Sequence, residues 1–446
     1  MNQYQSSKYL HFCFMGLFYL LPILSFAQPQ QADTLLKEVT LKTAVEYAVK
    51  RQPLIQQSLI DEQITATQLK SRLADWYPQL NFNYNIQHNF LLQKSLFAGN
   101  LVTLGQNNTS AAQFSASQYL FNRDLLLAKR TRVDVRLQAQ QATASNKIDL
   151  VVNVSKAFYD ILSTTQQIKV AAENITRIER SLKDAFNQFQ AGLTDKTDYK
   201  RATITLNNSR ASLRGNEELL KAKKEYLRAL MNYPEKYTLN IVYDTLQMET
   251  EIGMDTALTA DYKLRIEYRI LETQSRLLQA NIKYNKWAYL PTLSANGAYN
   301  FNFQNNDFTK LYNANYPNSY VALTLGFPIF QGGKRKFNIQ QAQLEFKRNE
   351  WEIVNLENSV NSVYAQALAA YRANLENYTA LKENVSLAKE VYDVIQLQYR
   401  SGIKTYLEVI TSETDLRTAQ INYYTAIYEL LASKLDVKKA SGQIIY

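Results

Sequence analysis

The second half of this chain restates the first, and that limits its fold more than any single motif. At an offset of about 210 residues, Trp76-Tyr77-Pro78-Gln79-Leu80 is echoed by Tyr289-Leu290-Pro291-Thr292-Leu293. Tyr119-Leu120-Phe121-Asn122 is echoed by Ile329-Phe330-Gln331-Gly332, and Phe189-Gln190-Ala191-Gly192-Leu193 by Tyr399-Arg400-Ser401-Gly402-Ile403. One such match is weak. Three in the same order at a near-constant offset are two copies of one structural unit.

Within each copy two periods alternate. After Pro78, Leu80, Phe82, Tyr84 and Ile86 interleave with Gln79, Asn81, Asn83, Asn85 and Gln87. After Pro291, Leu293, Ala295, Tyr299, Phe301 and Phe303 interleave with Thr292, Ser294, Asn296, Asn300 and Asn302. A period of two is a strand with one apolar and one polar face. An uncharged amide and hydroxyl face opposite an aromatic one suits a strand between lipid and a watery lumen. A second strand precedes each long helix, marked clearly by Val321, Leu323, Leu325 and Phe327 and faintly by Phe114, Ala116 and Leu120. The strands are expected over about 78–121 and 291–330.

About four membrane strands per chain follow, and four cannot close a barrel. An open edge in lipid leaves backbone groups unpaired at several kcal/mol each. The barrel is therefore expected to be shared between copies. Two copies give eight strands and three give twelve, and strand physics alone does not choose.

The remainder reads as helix with a seven-residue repeat. Val154, Ile161, Ile168, Ile175, Leu182 and Phe189 fall seven apart, as do Tyr364, Tyr371, Tyr378, Val385, Tyr392 and Tyr399. The returning stretches repeat the pattern at Tyr199, Leu206, Leu213, Leu220 and Leu227, and at Val409, Leu416, Tyr423, Leu430 and Val437. Such a period demands supercoiled helix packing. Ala157, Ala171 and Ala185 let neighbours approach closely. The uninterrupted stretches near 123–190 and 334–400 are each about 100 Å long at 1.5 Å per residue. Gly192 and Gly402 stop them, because glycine takes the left-handed shape needed just past a helix end. The heptad tyrosines read as packing between helices, with Tyr399 set apart by its place next to a turn.

Composition narrows the function classes. Residues 1–27 read as a signal peptide. Lys8 is followed by a mostly apolar run and by Ser25-Phe26-Ala27, with cleavage expected between Ala27 and Gln28. The only cysteine, Cys13, lies inside that segment, so the expected mature chain has no disulfide, thiol nucleophile or cysteine metal site. No later segment has the roughly 18 consecutive apolar residues of a transmembrane helix. Removing Lys8 from the 50 basic residues leaves a balance of +9 against 40 acids. The charges are spread over helix faces with no arginine-rich run, so no nucleic-acid partner is expected. The expected mature chain has one histidine, His88, and no phosphate loop, serine elbow or zinc spacing, so neither enzyme activity nor a cofactor is expected. The 31 tyrosines suit positions that are wet at one end and apolar at the other, including membrane interfaces.

The constellation resembles the TolC-type outer-membrane factors over essentially the whole mature chain. The features that carry the resemblance are Leu41-x-x-Ala44-Val45-x-x-Ala48 followed by Gln52-Pro53, the two Pro-x-Leu strand entries, and the strand-to-helix joins. Those joins are Tyr119-Leu120-Phe121 and Phe327-Pro328-Ile329-Phe330-Gln331-Gly332-Gly333. The resemblance implies a mostly α chain with transmembrane β structure. It implies a homotrimer whose twelve strands form one barrel in the outer membrane of a Gram-negative bacterium, continued by an α-helical tunnel across the periplasm. It implies a passive exit duct for efflux or type I secretion, opened by a periplasmic adaptor and an inner-membrane transporter. The boundaries expected are a first repeat over 28–232, a small mixed equatorial patch over 233–258 and a second repeat over 259–446.

The family's aperture carries over residue by residue. The turns at Gly192 and Gly402 become the periplasmic mouth. Thr197 and Asp198 follow the first turn, and Tyr399 precedes the second. Lys404 stands where arginine is familiar, Glu408 where aspartate is familiar, and Thr411 replaces a second acid. Lysine makes a less directional link than a guanidinium, and Thr411 halves the acidic layers. A local reading stands beside this one. Thr405-x-x-Glu408 is also a capping box, and Asp195 and Asp198 favour a helix dipole. A periplasmic or surface structural coiled coil is the alternative, and it leaves the four alternating strands unexplained.

Overall fold

The computed structural model describes residues 36–242, 251–254 and 261–446. The expected cleavage at Ala27–Gln28 lies outside these residues, as does much of the 233–258 patch. In chain order the elements are α1 Leu41–Arg51, α2 Pro53–Ala74, β1 Gln79–His88, β2 Gln93–Phe97, β3 Asn100–Leu104, β4 Asn108–Phe121, α3 Arg123–Gln190 and α4 Lys196–Met231. The second half gives α5 Ile266–Lys286, β5 Thr292–Asn305, β6 Asn318–Gly326, α6 Lys334–Arg400 and α7 Tyr406–Ala440. The two copies share the order helix, strand, strand, very long helix, turn, helix, to which the first adds α1 and the short strands β2 and β3. The leading helices α2 and α5 are absent from the sequence expectation. Their weak heptads gave no signal, but Gln52 caps α2 through its Oε1 on the Ile55 N–H at 3.1 Å, and Pro53 occupies the first turn.

The heptad positions bury the faces the spacing required. Val154 and Ile161 of α3, Tyr371, Tyr378, Tyr392 and Tyr399 of α6, and Val409, Leu416, Leu430 and Val437 of α7 are all buried within the chain. So are the intervening Ala157, Ala171 and Ala185. α3 packs on α4 along its turn-side half and on α2 along its other half, while α6 packs on α7 and on α5 in the same way. α3 also packs on α7, which joins the two copies. Among the described residues, no helix is long and apolar enough to cross a membrane.

The strands form an amphipathic sheet. β1, β4, β5 and β6 form one antiparallel sheet in the order β1-β4-β5-β6. The register sets Leu80 opposite Ala116, Phe82 opposite Phe114, Phe114 opposite Tyr299 and Ala295 opposite Leu323. One face is therefore apolar and aromatic, with Phe82 and Phe114 rings 4.8 Å apart. The other carries Gln79, Asn81, Asn83, Ser115, Asn300 and Asn318. None of the four strands contains Asp, Glu, Lys or Arg.

The β1–β4 connection holds a second sheet that the sequence did not announce, the hairpin β2–β3. Ala98 (φ +49) and Gly99 (φ +85) form its two-residue turn, the left-handed pair that matches strand twist. In the expected 233–258 patch, the described residues make a single parallel bridge, Ile241 with Val39.

Candidate functional site

The end formed by the two helix turns gathers the residues singled out by sequence. Both turns close in the same way. Gly192 (φ +70) donates its N–H to Phe189 O, and Leu193 donates to Gln188 O at 2.9 Å. Gly402 (φ +77) donates to Tyr399 O, and Ile403 donates to Gln398 O at 2.9 Å. These paired bonds satisfy the last helical carbonyls and require a left-handed residue at the glycine.

The charged groups around the two turns are arranged differently. At the first, Asp195 is the N-cap rather than a first-turn residue, and its carboxylate accepts the Thr197 hydroxyl at 3.1 Å instead of capping the backbone. Asp198 lies in the first turn of α4, half-buried, with no side-chain hydrogen bond or ion pair among the described residues. At the second turn, Lys404 Nζ donates to Glu408 Oε1 at 2.6 Å. The Thr405 N–H and hydroxyl donate to Glu408 Oε2 at 2.9 and 3.0 Å. The Lys404 ammonium and these two donors hold the Glu408 carboxyl down at about 2. Both Glu408 oxygens are thus engaged within their own turn. Thr411 is exposed and returns its hydroxyl to Leu407 O at 3.0 Å.

Tyr399 is packed like the other heptad tyrosines. It is buried with Ala185, Ala202, Tyr406 and Val409 in a small core behind the turns. Its hydroxyl donates to Gln188 Oε1 of α3 at 3.0 Å. Burial, with Asp198 and Asp184 nearby, raises its pKa. Tyr406 stacks obliquely on Tyr399 at 5.8 Å. Tyr406 lies three residues before Val409, on the apolar face of α7 that the spacing marked. Gln188 gave no sequence signal.

About two turns further along α7 lies a group the sequence analysis missed. Glu413 is 4 % exposed, on the stripe of Val409, Ser412 and Leu416. Its Oε1 stands 3.7 Å from Arg177 Nε of α3, an ion pair without a hydrogen bond. Among the described residues, the buried Tyr392 hydroxyl and Arg177 Nη2 also have no hydrogen-bond partner, although the Arg177 guanidinium lies 5.9 Å from the Tyr392 ring centroid. Burial pushes the Glu413 carboxyl up to about 7, outweighing Arg177 and Arg417. A charge inside the apolar spacing was the available signal. Among the described residues, no cluster of three His, Cys, Asp or Glu is placed to hold a metal.

Comparison with known proteins fits this architecture. Residues 44–233 and 270–443 match the family model for outer membrane efflux proteins. The chain is 21 % identical over 443 residues to the outer membrane protein TolC of Escherichia coli (strain K12), covering 95 % of this chain and 86 % of that one. It is 22 % identical over 419 residues to the outer membrane protein OprJ of Pseudomonas aeruginosa, covering 91 % and 84 %. The crystal structure of CusC superposes with a TM-score of 0.73 at 18 % identity, over 90 % of this chain and 91 % of that one. The Campylobacter jejuni CmeC outer membrane channel superposes with a TM-score of 0.70 at 15 % identity, over 90 % and 85 %. The chain belongs to the outer membrane efflux protein family and is an outer-membrane protein with the fold of that family's channels.

Proposed function

We propose that this member of the outer membrane efflux protein family is a passive exit duct built from three copies. The observation that carries the reading is the uncharged four-stranded sheet with β1 and β6 as free edges. In lipid every backbone N–H and C=O needs a partner, so these edges must pair with those of other copies. Because β1 and β6 run antiparallel, β6 of one copy pairs with β1 of the next in an all-antiparallel barrel. Family membership favours three copies and twelve strands over two copies and eight. The apolar face then meets lipid, the amide face lines the lumen, and the long helices continue the duct across the periplasm. The repeats over 28–232 and 259–446 form the halves of each copy, joined by the patch at 233–258.

The turns at Gly192 and Gly402 form the periplasmic mouth, which an adaptor and an inner-membrane transporter open. Thr197, Asp198, Tyr399, Lys404, Glu408 and Thr411 surround it. Of the two acids, Asp198 is the one left without a partner among the described residues, so it supplies the charge that faces the aperture. Glu408 holds Lys404 and the start of α7. Charged rings at a narrow mouth set ion preference.

Planar-bilayer conductance of protein purified from outer membranes tests this. The wild type is expected to prefer cations, and Asp198→Ala to lose that preference. Unchanged selectivity in Asp198→Ala would sink the aperture role and leave the duct. Failure of the wild type to stay in outer membranes after salt and carbonate washing would sink the duct itself.

A further inference from the structure

At the end of the sheet away from the helices, two loops expose apolar side chains that their own chain leaves uncovered. On the β2–β3 hairpin, Leu96 is 71 %, Phe97 76 % and Leu101 71 % exposed, and the register puts Phe97 on the opposite face from Leu96 and Leu101. A lone two-stranded hairpin with both faces in water is marginal, and contiguous exposed apolar surface marks a contact site. The β5–β6 connection, residues 306–317, exposes Phe308 (61 %) and Tyr316 (53 %) at the same end. Its Tyr312 is already engaged. That ring lies 5.1 Å from Phe303, and its hydroxyl is 2.6 Å from the Tyr84 hydroxyl.

An asparagine collar fixes the roots of both loops. Asn107 N–H donates to Asn306 Oδ1 at 3.0 Å, and Asn108 Nδ2 donates to the carbonyls of Asn305 and Asn306 at 3.1 Å each. The loops are thus tied at their base within one chain while their tips stay bare. Lipid tails do not suit the tips, because the loops carry the charges that the strands exclude. Lys94 is the one charged residue between 79 and 121, and Asp307 is the one acid between 292 and 326.

The topology supplies a different cover. β1 is a free edge and leads directly into the hairpin, while the other free edge, β6, begins two residues after Tyr316. Pairing β6 of a second copy with β1 sets that copy's Phe308–Tyr316 segment beside this copy's hairpin. We propose that the β2–β3 hairpin of each copy clasps the Phe308–Tyr316 segment of the next, making an inter-subunit seal around the outer rim. Leu96, Phe97 and Leu101 pack on the neighbour's aromatics, and Lys94 comes beside the neighbour's Asp307, which within its own loop pairs with Lys310 at 3.5 Å. The inference rests on the multi-copy duct and adds to it a contact outside the membrane, where the barrel hydrogen bonds end.

Cysteine cross-linking tests it in the full chain. With Cys13→Ser as background, the sequence has no other cysteine. Leu96→Cys and Phe308→Cys are placed on two differently tagged chains, co-expressed, and treated with a bis-maleimide in outer membranes. Both sites are exposed, so folding is retained. The expected result is a covalent species carrying both tags, and loss of the monomer band when both substitutions are on one chain. Native mass of the same material reads the oligomer independently. A trimer with no doubly tagged species overturns the clasp and leaves the duct. A cross-link formed by Leu96→Cys alone also overturns it, because the hairpins then meet each other. A monomer by native mass overturns the duct reading, and the clasp with it.

Discussion

The turn after α3 and the turn after α6 have the same backbone, with glycines at φ +70 and +77 and matching pairs of carbonyl caps. Their side chains share the work unequally. The first turn leaves Asp198 without a side-chain partner among the described residues, and its hairpin gives the core behind it the buried Ala185 and Ala202 with the partly buried Leu182 and Tyr199. The second supplies the large side chains that are fully buried there, Tyr399, Tyr406 and Val409, and ties its acid, Glu408, into a local network with Lys404 and Thr405. Duplication preserved the geometry that ends a helix. The two copies differ in how they hold their acids and in which side chains they bury.

The largest expected effect follows from that packing. Tyr406→Ala removes a buried ring from the second hairpin and is expected to cost ~3–5 kcal/mol in denaturant unfolding followed by helical circular dichroism. Leu193→Ala, on the exposed tip of the first turn, is expected to lie within about 0.5 kcal/mol of wild type. Equal losses at the two sites would break the asymmetry.

Next comes pH. Glu413 is on the second hairpin alone, since its counterpart one repeat back, Thr203, returns its hydroxyl to Tyr199 O at 2.8 Å. A carboxyl raised to about 7 from an ordinary 4.5 favours the folded state when protonated. Its contribution is full below pH 4.5 and is lost as pH rises through about 7. Glu413→Gln is expected to flatten the stability profile across that window in thermal unfolding scans. An unchanged slope would assign the titration to another group.

Gly192→Ala and Gly402→Ala sharpen what the turns share. Each forces a Cβ into the left-handed region and is expected to cost ~1–2 kcal/mol by the same denaturation assay. The two costs should agree, because neither glycine has a neighbouring atom within 4 Å of an added Cβ.

The smallest effect belongs to Glu408. Its depressed pKa means that its contribution is present above pH 4.5 and is lost as pH falls toward about 2. Glu408→Gln is expected to speed amide hydrogen exchange in the first turn of α7 at neutral pH, whereas Asp198→Asn leaves exchange at the start of α4 unchanged. Faster exchange from Asp198→Asn would show that both acids cap.

The sequence by itself determined the four sheet strands, the long helices and the turns of each copy. Period two marked the four strands at Leu80, Phe114, Leu293 and Val321, the second of them faintly, and period seven marked the run of α3 and α6. Glycine ended both helices where an L-residue resists the required φ. These are local constraints, written in the order of neighbouring residues. Tertiary structure decided what depends on residues far apart in sequence. It gave the Tyr399 hydroxyl to Gln188 and set Glu413 against Arg177 without a hydrogen bond. It also folded residues 93–104 into a hairpin whose apolar pattern lacks a single wet face. Side chains that meet across helices 211 residues apart, as Tyr399 and Gln188 do, share no spacing that a linear pattern records. Only packing brings them within bonding distance and removes the water that would otherwise satisfy them.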